Sequence, residues 1–208
     1  MRKFQWGWVV ILIAGFLAFS AWYGGKGKPI SPEEGVALLE QMRANYADTP
    51  DNEQNFIANM EAMIPNDDGR EFYAVNLEQL KVGAEAEAAD AAYGRVVLPL
   101  LFKRAGHPVF VSYRAGLMLG DYGEQVDRVA VVRYRSLRDL INMVNDPKMI
   151  AGGHHKFAAL DHTEVFITRP SISFVHVRLV VALLLTLIGI AGWLAIGFVG
   201  ERRAARNI

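Results

Sequence analysis

HPVFVSYRAGLML (107–119), DYGEQV (121–126) and DRVAVVRYR (127–135) followed by SLRDL (136–140) form the stretch on which the fold turns. The first and third segments are rich in β-branched and aromatic residues, and the glycine-bearing segment between them is a turn, so two strands in succession are predicted. Ser136-Leu137-Arg138-Asp139 is a capping box, opening a helical stretch from Leu137 through Asp146-Pro147 to Leu160. Working outward, EFYAVNLEQL (71–80) reads as a strand, AEAEAADAAYGRVVLPLLFKRAG (84–106) as a helix and HTEVFITRP (162–170) as a closing strand. The order is β-α-β-β-α-β, the split βαβ pattern of a ferredoxin-like α+β domain.

Both alternating sets of strand residues are apolar. Val129 and Val131 stand on one set, Ala130, Val132 and Tyr134 on the other, and Val109 and Val111 likewise stand against Phe110. Two helices cover one face of a four-stranded sheet. The second face therefore calls for a partner, and a second copy of the chain, sheet against sheet, is expected.

The domain, placed at 70–168, is preceded by a linker at 24–30 and a helical hairpin at 31–69. Ser31-Pro32-Glu33-Glu34 starts the first hairpin helix with an N-cap, a first-turn proline and a capping glutamate, and Thr49-Pro50 repeats the device. Val36, Leu38, Leu39 and Met42 line one helix, and Phe56, Ile57, Met60, Met63 and Ile64 the other, before Pro65 and Asn66-Asp67-Asp68-Gly69 stop it. Such stripes are core packing, so the hairpin is read as a cover or spacer.

Two membrane-length apolar runs enclose all of this. Residues 4–23 carry no ionised side chain and, as a helix, reach about 30 Å, enough to cross a bilayer core. Trp6, Trp8, Trp22 and Tyr23 bracket the run like interfacial belts. A cleaved secretory signal is the competing reading, with Met1-Arg2-Lys3 as its basic region and Ala18-Phe19-Ser20 at the cut; the belts and the length favour retention. The second run, 177–199, holds one charge, Arg178, at its start, and Gly189, Gly192 and Gly197 give it a small-residue side suited to close helix contact. A basic tail follows at 200–208. Arg2, Lys3, Arg202, Arg203 and Arg206 lie outside the spans, against Lys26, Lys28, Arg169 and Arg178 on the domain side. That bias, with the acid-free N-tail, points to a bacterial inner membrane protein with both termini cytoplasmic and the central domain periplasmic.

Formal charge over the 208 residues is zero, with 22 basic and 22 acidic side chains. Between 29 and 168, however, 13 Lys and Arg face 21 Asp and Glu, a net of −8 that repels phosphate backbones, so nucleic acid is not an expected partner. The chain has no cysteine, which excludes a disulfide framework, thiolate catalysis and cysteine-held metals.

The stretches FYAVNLEQL (72–80) and 107–163, above all the join Arg133-Tyr134-Arg135-Ser136, the Asp146-Pro147 break and the His-rich turn, resemble the uncharacterised DUF1330 family of the dimeric α+β barrel superfamily over residues 70–168. The resemblance implies a dimeric barrel architecture. The superfamily holds haem-dependent enzymes, cofactor-free monooxygenases and isomerases alongside proteins without assigned chemistry, so it implies no particular reaction. The two spans and the hairpin depart from its small soluble members.

Candidates for chemistry are few. On a helix His154 and His155 point about 100° apart, and His162 lies about 10 Å from His155, so no pair has the spacing that chelates one ion and no metal is expected. A single haem-ligating histidine is the alternative. Asn76, Tyr113 and Arg133 stand near strand ends, where a barrel cleft would place orienting groups for a small ligand, although strand parity alone does not say which face each occupies. No nucleophile elbow, phosphate loop, metalloprotease helix or dinucleotide fingerprint is present. The residues thus point to a dimeric, membrane-anchored accessory, scaffolding or ligand-sensing protein without a cofactor, whose partners are itself, membrane lipid and another membrane protein. The alternative is an enzyme or haem protein using Asn76, Tyr113, Arg133, His154, His155 and His162 in the barrel cleft.

Overall fold

A computed structural model describes residues 2–47, 51–172 and 176–206. In chain order its main elements are α1 (Arg2–Gly24), α2 (Pro32–Asn45), α3 (Asp51–Met63), β1 (Phe72–Leu80), α4 (Ala84–Lys103), β2 (His107–Tyr113), β3 (Arg128–Tyr134), α5 (Leu137–Val144), α6 (Pro147–Gly152), α7 (His154–Ala159), β4 (Leu160–Thr168) and α8 (Val177–Arg206). The described residues form two compact units, one from the chain ends up to Tyr23 and from Ile172, the other from Gly24–Ser171.

In the larger unit the four strands pair in the order β2-β3-β1-β4, every neighbouring pair antiparallel. With helices in both crossovers, this is a ferredoxin-like domain. Register decides which side chains meet. Phe72, Ala74, Asn76 and Glu78 stand opposite Tyr134, Val132, Ala130 and Arg128, and this set faces the helices, because Phe72 and Ala74 join the core with Leu100 and Leu101 of α4 and the apolar side of α5. Tyr73, Val75 and Leu77, opposite Arg133, Val131 and Val129, face the other way. Phe110 and Phe166, in register with Val131 and Val75, extend that second set and are about half exposed.

Both readable helix starts are built as their sequences require. Ser31 Oγ accepts from the Glu34 amide and Ser136 Oγ from that of Asp139, each quenching a first-turn N–H. The Thr49-Pro50 start lies outside the described residues. The hairpin adds a further layer: Met42 and Met60 are buried in the same core as α5, Tyr46 donates its hydroxyl hydrogen to Val144 O at 2.8 Å, and Asn45 donates to Asn145 at 3.0 Å.

Two local expectations change, and one glycine acts through close packing. The strand read through residue 119 ends at Tyr113, and 114–121 is irregular with a positive φ at Gly120, because two glycines and an Asp break the pairing. The helical stretch from 137 to 160 is three pieces, broken first at Asn145-Asp146, where Asp146 caps α6 over Lys148 N and pairs with Arg104 at 3.0 Å. Glycine at the end of α4 serves closeness rather than handedness: Ala105 takes the left-handed conformation (φ 57°), and a Cβ on Gly106 would lie 2.9 Å from Arg133 O.

In the smaller unit, 3–24 and 177–199 are helices long and apolar enough to cross a membrane, with almost no residues buried. Gly189 packs beside Leu12, Gly197 beside Gln5, and Gly192 directly against the Trp8 indole. Gln5 donates to Trp193 O at 3.2 Å, and Trp6 meets Trp193 edge to face at 5.8 Å.

Gly69 ties the hairpin to the sheet. It has φ +70°, a Cβ there would overlap the Lys28 backbone, and Asp67 accepts from both Gly69 N (3.0 Å) and Ile30 N (2.8 Å). Gly69→Ala combines left-handed strain with a backbone collision, so it should cost about 2–4 kcal/mol. Urea unfolding of the two proteins side by side measures this, and a loss under ~0.5 kcal/mol would show that the Lys28–Gly69 contact is not a fixed part of the fold.

Candidate functional site

Polar side chains gather between the sheet and its helices. Glu78 and Arg128 face each other in register and pair at 2.6 Å, with side chains only 7% and 11% exposed. Arg128 also forks onto Asp90 of α4 at 2.7 and 2.8 Å. This bond holds the Asp90 carboxyl below its ordinary range, and the two acids in turn push the Arg128 guanidinium up. Tyr113 pairs across from Arg128 on the same face and adds a hydrogen bond to it.

Two residues along β1 from Glu78, on the same face, Asn76 donates to Ala130 O at 3.1 Å and accepts from Lys156 Nζ of α7 at 3.1 Å. That is the only hydrogen bond of the Lys156 amine among the described residues. Burial lowers its proton affinity, partly offset by Glu78 and reinforced by Arg128. Thr163, opposite Glu78 on β4, has a buried Oγ1 with no partner among the described residues. The site therefore combines a satisfied ion cluster with an amine holding unused donors. Burial also raises the phenols of Tyr93 and Tyr134.

The six residues read from the sequence as one cleft do not meet within one chain. Asn76 and Tyr113 lie on the helix-facing side. Arg133 lies on the opposite side, 1% exposed, donating to Ala105 O at 2.7 Å and paired with Glu71. His162, opposite Gln79 at the bulged start of β4, shares that opposite side. His154 and His155 open α7 with ring centroids 4.1 Å apart rather than diverging. No group of three or more metal-ligating side chains occurs among the described residues.

Sequence reading passed over Glu78, Arg128 and Lys156, and placed Asp90, with Glu85 and Glu87, on a solvated helix face, whereas Asp90 is held by Arg128. The signal for Lys156 was Gly152, four residues earlier: a Cβ there would come 2.7 Å from Val96, so this side of the segment lies tight against α4 and faces inward. Gly153 keeps right-handed helical angles, which carries the same facing on to Lys156.

No protein-family model matches the chain, and none of the curated proteins does. Two crystal structures of RPA0582 do. The methylated protein aligns at TM-score 0.51 with 22% identity over 58% of this chain and 93% of that one. The second, described as a protein of unknown function from Rhodopseudomonas palustris, aligns at 0.50 with 23% identity over 57% and 94%. A hydroxynitrile lyase from Passiflora edulis aligns at only 0.39 with 13% identity over 51% of this chain and 99% of that one, too slight to bear on chemistry. The likeness to RPA0582 is one of fold.

Because the Lys156 pKa is lowered from 10.5 on folding, the unfolded chain binds more protons in the interval below that value, and stability rises with pH there. Lys156→Met should remove that rise: wild type gains on the variant as the pH climbs toward 10.5. Denaturant midpoints measured across alkaline pH check this, and parallel curves for the two proteins would place the amine in solvent.

Proposed function

We propose that this chain is a membrane-tethered protein that pairs with a second copy through the open face of its sheet and acts as an accessory, scaffolding or ligand-sensing subunit of a larger membrane assembly. One observation carries the reading: the sheet face turned away from the helices is apolar along its centre, with Tyr73, Val75, Leu77, Val129 and Val131 flanked by the half-exposed Phe110 and Phe166. In an acidic unit, an apolar face of this kind calls for a cover, and two copies of a twisted sheet stack with aligned strands at about 10 Å separation.

The two long apolar helices support anchoring, and the charge bias about them supports cytoplasmic termini with the domain on the periplasmic side of a bacterial inner membrane. Membrane lipid is then a partner of α1 and α8. In this reading the glycines of α8 serve contact within the chain, and a further membrane protein meets the remaining helix surface. The dimeric barrel architecture also fits the DUF1330-like pattern over residues 70–168.

A second reading, small-molecule chemistry in the cleft, has Lys156 in its favour, an inward-facing amine with a single hydrogen-bond partner. Its surroundings supply two acids paired with one arginine rather than a nucleophile with an adjacent base, so the non-catalytic role is preferred.

The test is the mass of the full chain in mild detergent. The wild type should run as a pair of 23.1 kDa chains, and Val131→Glu, which puts a charge on the open face without touching the helix side, should run as a single chain. A wild type that stays single, or a variant that stays paired, contradicts pairing through the sheet.

A further inference from the structure

At the end of the sheet where β1 starts and β4 finishes, a groove of about 270 Å³ opens between the hairpin and the strands. Its floor is apolar. Phe72 and Leu137, each 4% exposed, come up from the core, and Ile167 of β4 forms a wall at 38% exposure. Arg70, Arg169 and Asn59 line the same groove.

The charges there are not equivalent. Arg169 is committed, pairing with Asp68 at 3.2 Å and donating to Asn66 O at 2.9 Å. Asp67, the acid on the lining, is also spent, since its two oxygens accept from Ile30 N and Gly69 N. Arg70 has no ion pair or side-chain hydrogen bond among the described residues, and neither does the Asn59 amide. A guanidinium with five donors unused within the described residues, and an amide, thus line a groove with an apolar floor.

We propose that this groove binds a small organic acid, its carboxylate held by Arg70 with help from Asn59 and its compact apolar body lying over Phe72, Leu137 and Ile167. A planar guanidinium matches a carboxylate in two parallel hydrogen bonds, which gives orientation as well as attraction. The volume sets the size class: drug-sized ligands occupy about 300–1,000 Å³, so the ligand is smaller than these, of the order of one ring or a short chain. The site is separate from the Lys156 cluster and from the open sheet face, so it stands or falls independently of pairing.

The experiment is a ligand-observed NMR titration of the full chain in zwitterionic lipid nanodiscs with benzoate, using benzyl alcohol and inorganic phosphate as comparisons. Benzoate should bind saturably, and both comparisons should bind at least about 10-fold more weakly, each lacking one half of the recognition. Arg70→Gln and Ile167→Asn, both at exposed or half-exposed positions, should each weaken benzoate by about 10-fold or more while leaving the unfolding midpoint in place. Absence of benzoate binding, or binding unchanged in both variants, overturns the proposal. Phosphate binding as tight as benzoate and insensitive to Ile167→Asn also overturns it, by showing a bare charge site. Repeating the titration in anionic nanodiscs separates sources of the same chemistry: undiminished binding supports a free acid, and competition by the lipid overturns it in favour of a headgroup.

Discussion

A sheet that is apolar on both faces cannot stand alone in water, and the rest of this molecule follows from how each face is covered. On one face the chain supplies its own cover. Helices α4 to α7 lie over Phe72, Ala74 and their neighbours, and the α2–α3 hairpin packs behind α5 so that Met42, Met60 and Ile141 share one core. On the other face the described residues supply no equivalent layer, and Phe110 and Phe166 stay half exposed. Burying such a face is favourable in proportion to the apolar area removed from water, and a second identical face is the simplest surface that matches it.

The polar groups sit where this layering leaves room. Glu78, Arg128 and Asp90 are held between sheet and helix because register places Glu78 opposite Arg128 and the first turns of α4 bring Asp90 over them. Breaking a buried pair by removing one partner costs about 3–5 kcal/mol, whereas its net worth intact is small. The cluster therefore fixes register and helix placement more than it adds stability. Arg138 does similar work for the hairpin, bonding Glu34 and the carbonyls of Lys28 and Pro29. It also holds the Glu34 carboxyl below its usual range.

Much of this architecture was legible in the residues. The alternation in DRVAVVRYR and FYAVNLEQL located the central strands, and Ser31 and Ser136 announced their helices, because caps and strand periodicity are local properties of the chain. The candidate site was less legible. Asn76 and Tyr113 fall on one face and Arg133 and His162 on the other, and only the register of β1 against β3 and β4 decides that. Arg133 looked like a ligand-orienting group and is instead a buried brace, donating to the carbonyl of Ala105, whose left-handed backbone it helps hold. Lys156, hidden beside two histidines, acquires its character only when α7 closes over Asn76, a contact between residues 80 positions apart.

Self-pairing through the sheet is the central claim, and the cysteine-free chain allows a clean measurement of it in native membranes. Single cysteines placed in turn from Tyr73 to Leu77 report which face meets a second copy. Pairing through the open face predicts oxidative cross-linking at Tyr73, Val75 and Leu77 and none at Ala74 or Asn76, a two-residue period that follows the strand. Cross-linking that ignores this alternation, or is absent at Val75 and Leu77, would contradict it and leave the open face to some other partner.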